Sequence, residues 1–245
     1  MKKIIYFPVI ATAIVTLFIS CKKSSADNTS TTVYKCAACV STSEAVAANN
    51  ISSKGIYIGI VIGSTGTIKF DLLNSGTTLS AVLVIDGTTV NLTSSVSWVS
   101  GQSYIAPFIG TLNGSPVTIN FSVAFNGSTP VIVSSNIPGH PSAQFTILKE
   151  TSSALVEAFE GTYSNTQPET GIFNVLVSRS LAMFTGASRK TNTTVNQSVD
   201  GTISANGVLT QTGVGVVGNL NGDVMSGTFR DNNGVTTTFT GKRTL

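Results

Sequence analysis

From Gly55 onward, apolar and polar residues alternate. Val117, Ile119, Phe121, Val123 and Phe125 are separated by Thr118, Asn120, Ser122 and Ala124, and Ile68, Phe70 and Leu72 by Lys69 and Asp71. Period two sends successive side chains to opposite faces of an extended chain, so each run reads as an antiparallel strand with one buried and one wet face. Turn signals interrupt the runs at roughly 8–12-residue spacing. They include Asp86-Gly87, Asn113-Gly114, Asn126-Gly127, Asp200-Gly201, Asn206-Gly207, Asn221-Gly222 and Asn233-Gly234, whose residue types tolerate the positive φ of two-residue hairpins. Ile56 to Ile62 and Ala81 to Ile85 break the alternation by being apolar throughout. Such runs fit strands covered on both faces, as at a junction between subdomains.

Self-comparison divides the strand-rich region in two. Gly55-Ile56-Tyr57 followed by Gly66-Thr67-Ile68 matches Gly161-Thr162-Tyr163 followed by Gly171-Ile172-Phe173. Gly110-Thr111-Leu112-Asn113-Gly114 matches Gly218-Asn219-Leu220-Asn221-Gly222, and Phe145 to Lys149 matches Phe239 to Arg243. Between the halves, Ser152 to Glu160 reads as a short helix with Ala154, Leu155, Ala158 and Phe159 on one face and Glu157 and Glu160 toward water. Its counterpart before the first half is Ser43 to Asn49. The expected fold is an all-β antiparallel meander of two related halves, 51–150 and 151–245. It forms two small β-barrels or sandwiches with the short helix between them, the alternative being one larger barrel.

The amino terminus carries an address. Met1-Lys2-Lys3 precedes the uncharged apolar stretch Ile4 to Ser20, which ends in small residues before the cut, the pattern of a secretory signal over 1–20. Phe18-Ile19-Ser20-Cys21 resembles the lipobox of bacterial lipoproteins, and Lys22-Lys23-Ser24-Ser25 resembles the residues that follow it in lipoproteins of the Bacteroidetes group. The resemblance implies lipidation of Cys21 by acyl chains and a membrane anchor in the cell envelope. With no Asp after the Cys it implies the outer membrane, on either its periplasmic or its surface face. Residues 21–50 then comprise the lipidated Cys, a Ser/Thr-rich tether and a CxxC segment.

Cys36-Ala37-Ala38-Cys39 lacks the His that haem attachment requires, since Val40 follows it, and no second Cys pair completes a zinc site. In an oxidising envelope a local disulfide is the expected state.

Each half opens with Gly-x-Tyr and ends on a cation. This resembles the calycin barrels, relatives of lipocalins and avidin, in which a Gly-x-Trp on the first strand packs beneath a basic side chain from the last. The resemblance implies closing pairs Tyr57 with Lys149 and Tyr163 with Arg243. Phe159 to Arg243 also resembles the Gly-punctuated β-domains of bacterial envelope proteins, a likeness that brings no activity with it.

Catalytic chemistry finds little foothold. His140 is the only histidine and sits in Pro138-Gly139-His140-Pro141, a turn sequence without a nucleophile elbow elsewhere. Glu150, Glu157, Glu160 and Glu169 gather around the inter-half segment. Asp231-Asn232-Asn233-Gly234 lacks the ligand spacing of a calcium loop. No metal or cofactor is expected. Lys and Arg number 14 against 11 acids, too even a balance for nucleic acid. The leading expectation is a non-enzymatic envelope lipoprotein displaying a β-domain for binding or assembly. The alternative is a barrel carrying a small apolar ligand, and a glycan-binding module or a glycan hydrolase follows. Partners are therefore the membrane, through the lipid, and a glycan, a small apolar ligand or an envelope protein.

Overall fold

The computed structural model describes residues 34–245. The signal, Cys21 and the start of the tether lie outside these residues. Every described strand and the hydrophobic clusters fall within this one compact unit.

The first half forms β1 (Gly55–Ile62), β2 (Gly66–Leu72), β3 (Leu79–Ile85), β4 (Thr88–Thr93), β5 (Tyr104–Leu112), β6 (Ser115–Val123), β7 (Val131–Asn136) and β8 (Gln144–Lys149). Each of the first seven pairs with its neighbour in sequence, and β8 returns to pair antiparallel with β1. The ring is nearly closed, with β7 and β8 adjacent but not joined by a ladder. Two hairpins show why the turn residues are what they are. Asp86 and Gly87 have φ of 45° and 77°, and Asn113 and Gly114 have 51° and 81°, the twice-positive pattern that matches strand twist. Alternation fills the lumen with large side chains. The Phe70 and Phe121 rings lie 4.5 Å apart, Tyr57 meets Phe121 edge-on at 5.3 Å, and Phe108 meets Phe70 at 5.0 Å. This barrel is solid.

The second half forms β9 (Glu157–Asn165), β10 (Thr170–Ser178), β11 (Met183–Lys190), β12 (Asn196–Ser198), β13 (Gly201–Ile203), β14 (Val208–Gln211), β15 (Gly215–Asn221), β16 (Val224–Arg230) and β17 (Thr236–Arg243). β12 and β13 pair with opposite ends of β11 and act as one interrupted stave. β17 pairs with β9 and β10 with β11, so this ring closes completely. The protein is all-β, built as two small barrels.

The barrels meet along an apolar seam. Ile56, Ile58, Ile60 and Ile62 point out of the first barrel onto Val156, Ala158, Leu176 and Ala187 of the second. That contact explains why β1 reads as apolar on both faces. β3 does not share this environment, because Val82 remains 38% exposed on its outer side.

The structure overturns the expected helix. Among the described residues, the one helical element is the short 3-10 turn Ala47–Asn49, within the proposed counterpart. Thr151 bridges to Ala154 in a turn, and β9 starts at Glu157. The apolar residues that fit a helical face also fit period two. Val156 and Ala158 face the seam, whereas Phe159 faces the lumen, and pairing with both β10 and β17 decides for the strand. Glu157 is correspondingly buried at 3% rather than turned to water.

The internal match brings together the first strands and the last strands of the two barrels, but its middle block falls on different staves. Tyr57 stands opposite Lys149, but the residue opposite Arg243 is Phe159, four places before the matched Tyr163. The Asn113-Gly114 turn joins β5 to β6, the fifth hairpin of its barrel. Asn221-Gly222 joins β15 to β16, one stave later in the second.

Candidate functional site

The second barrel is hollow where the first is filled. Its strands carry glycines at inward positions that face aromatic rings. A Cβ on Gly161 would lie 2.7 Å from the Phe173 ring, and one on Gly241 2.6 Å from it. Cβ atoms on Gly218 and Gly227 would each lie 2.8 Å from Phe239, and one on Gly201 2.5 Å from Phe184. The rings therefore lie against bare backbone instead of projecting to the axis, a cross-strand pairing of aromatic with glycine. The space left over is a cavity of about 450 Å³.

The cavity has a floor, walls and a mouth. Phe159, Val177, Ile203 and Leu220 are packed into the barrel core below it and close it off. Phe173, Val175, Phe184, Leu209, Met225 and Phe239 form apolar walls. Around the mouth stand Asn165, Gln167, Gln197, Gln211 and Asn233, together with the carboxylates Glu169 and Asp231. Tyr163 belongs to this mouth. Its hydroxyl donates to Glu169 Oε1 at 3.0 Å, and Glu169 Oε2 also pairs with Lys190 at 3.0 Å. Burial, reinforced by the adjacent carboxylate, pushes the Tyr163 phenol up to about 12. The Lys190 and Tyr163 contacts hold the Glu169 carboxyl below its ordinary range. Tyr163 is thus a neutral donor and Glu169 an ionised acceptor.

The opposite pole is sealed by charge. Glu157 accepts from Arg179 at 2.6 Å and pairs with Arg243 at 3.0 Å, and Arg243 also reaches Asp223 at 3.6 Å. The chain entering the barrels is fastened here. The Tyr34 hydroxyl donates to the Arg243 carbonyl at 2.8 Å, the Cys36 N–H to Asp223 at 2.8 Å, and Arg243 to the Val40 carbonyl at 2.5 Å. Cys36 and Cys39 are joined to each other within this segment.

In the first barrel, Lys149 Nζ lies 5.4 Å from the centre of the Tyr57 ring. It donates to the carbonyls of Asn49 at 2.7 Å and Lys54 at 3.0 Å, and to that of Ser52. Arg243 has no such aromatic partner in Tyr163, which stands at the far pole, so the second expected closing pair is corrected to the Arg243–Glu157–Arg179 ion cluster. Both cations nevertheless grip the segment that precedes β1.

The remaining candidates stay scattered. His140 Nδ1 is 2.7 Å from Ser64 Oγ and its Nε2 is 3.8 Å from Asp86, in the loop between β7 and β8. Asp231 folds its own turn, accepting the N–H groups of Asn233 at 2.9 Å and Val235 at 2.8 Å. Among the described residues, no three His, Cys, Asp or Glu side chains converge as a metal site. No described helix is long and apolar enough to cross a membrane.

Sequence reasoning did not single out Phe173, Phe184 or Phe239 as cavity walls. The available signal was glycine recurring inside strands rather than in turns, a position where it weakens a sheet unless something packs on it. No protein-family model, curated protein or solved structure matches this chain.

Proposed function

We propose that this protein is a lipid-anchored envelope carrier, held to the membrane through Cys21, that binds a small and largely apolar ligand in its second barrel. The observation that carries the reading is the apolar-walled cavity of about 450 Å³, closed below and open above. Its size falls within the roughly 300–1,000 Å³ range of small-molecule sites, and the combination of apolar walls with a few polar groups at the rim is typical of them. The solid first barrel serves as a rigid stand against which the hollow one is braced. Carriage therefore moves ahead of display.

Fluorescence of N-phenyl-1-naphthylamine with residues 34–245 tests this. Saturable enhancement at one probe per protein is expected, and Val217→Trp, which fills the cavity, should abolish it while leaving the strand signal in circular dichroism intact. Absence of enhancement, or enhancement untouched by Val217→Trp, overturns the reading.

Assembly through the first barrel is the second reading, and it rests on an outer face of that barrel. Ile105, Ser122 and Val131 lie in one row across β5, β6 and β7, and Ile105 and Val131 are 64% and 50% exposed. β7 and β8 each also have one edge without a ladder, the type of edge that accepts a further strand. A concentration-dependent mass in light scattering that Val131→Lys abolishes would support assembly, and a monomer at all concentrations would remove it.

A further inference from the structure

We propose that the second barrel selects electrically neutral amphiphiles, with an apolar body and an uncharged hydroxyl or amide head, over carboxylates or ammonium ions of the same length. The inference deepens the carrier reading and rests on it. An apolar body follows from the walls, where Phe173, Phe184, Leu209 and Phe239 offer no polar atom. The head is defined by what stands at the mouth. Asn165, Gln167, Gln197, Gln211 and Asn233 present side-chain amides, each able to donate and to accept. No Lys, Arg or His lines the cavity.

The carboxylates that line the mouth are partly committed. Glu169 is taken up by Lys190 and the Tyr163 hydroxyl, both at 3.0 Å. Asp231 Oδ1 is taken up by two backbone N–H groups of its own turn. Arg179 and Arg243 sit at the sealed pole, paired with Glu157 and Asp223 beneath the packed floor. A carboxylate head entering the mouth would give up its hydration with no cation lining the cavity to meet it and two carboxylates nearby. An ammonium head would reach Glu169 only by displacing Lys190, and would meet Asp231 with one of its oxygens already bonded to its own turn. Removing a charge from water without a partner is costly, whereas a hydroxyl or amide exchanges water for the rim amides at little loss.

Competition at neutral pH decides the matter. With N-phenyl-1-naphthylamine bound to residues 34–245, decan-1-ol, decanamide, decanoate and decylammonium are titrated as displacers of equal chain length. Decan-1-ol and decanamide are expected to displace at concentrations at least tenfold lower than either charged analogue. Gln211→Lys, which places a cation at the rim, should improve decanoate by tenfold or more and leave decan-1-ol within about twofold. Equal or better displacement by decanoate or decylammonium, or displacement by none of the four, overturns neutral selectivity while the carrier reading stands. An unchanged decanoate response in Gln211→Lys also overturns it. Failure of the naphthylamine itself to bind removes the carrier reading and the selectivity together.

Discussion

Gly161 and Gly241 face each other across β9 and β17, with the Phe173 ring laid over both. A methyl group on Gly161 would stand 2.2 Å from the Thr240 carbonyl oxygen as well as 2.7 Å from that ring. Gly161→Ala should therefore cost about 1–3 kcal/mol of stability, as overpacking does. It should also weaken ligand binding by tilting Phe173 into the lumen. Urea unfolding and probe titration of the same variant read the two effects separately.

Glu160 behaves in the opposite sense, because its outer carboxylate oxygen is buried and has no hydrogen-bond partner. Burial raises its carboxyl above the ordinary 4.5, the Gly66 N–H offsets part of this, and the nearby Asp86 adds to it. The folded form thus keeps its proton to higher pH than the unfolded chain. Stability falls as pH rises from 4.5 through the raised value, and the penalty is fully present above it. Glu160→Gln should flatten that slope and leave the protein at least as stable at pH 7, as urea midpoints at pH 4.5 and 7 would report.

At the level of elements, the sequence made most strands legible because they have one wet face, and alternation survives only where that is true. β1 lost its alternation because Ile56, Ile58, Ile60 and Ile62 meet a second barrel, and that loss was itself readable as a junction. The stretch 152–160 misled because it is short. Over nine residues a helical face and a strand face can share most of their apolar positions, and the deciding partner, β17, lies some eighty residues downstream. The last strands were correctly matched to each other, but the first strands were matched four residues out of register, since Gly-x-Tyr is common in glycine-rich sheet. Ile60→Ala in β1 should cost about 2–5 kcal/mol, because the side chain is 1% exposed among apolar neighbours in the seam. Reduction of Cys36–Cys39 belongs to the sealed pole and should leave ligand affinity unchanged, which titration with and without dithiothreitol would show.

For the molecule as a whole, the seam makes the two barrels one unfolding unit. Calorimetry of residues 34–245 should give a single transition, and Ile58→Asp, which buries a charge between the barrels, should split it into two. The solid and hollow interiors were not legible from apolar content, because both halves supply enough of it. They differ in where the glycines fall. The first barrel projects Tyr57, Phe70, Phe108 and Phe121 to its axis, and the second lays its rings on bare backbone.

Both ends of the described chain leave from the same pole. The residues from Tyr34 to Val40 are tied to Arg243 and Asp223, and the terminal Leu245 carbonyl accepts from the Ala158 N–H at 3.1 Å. The mouth is framed instead by the turns around Gln167 and Asn233 at the far end of the staves. The protein is a cup gripped by its foot. A fusion, a label or a surface attached at Tyr34 or at Leu245 holds the foot and leaves the brim clear for whatever is poured in.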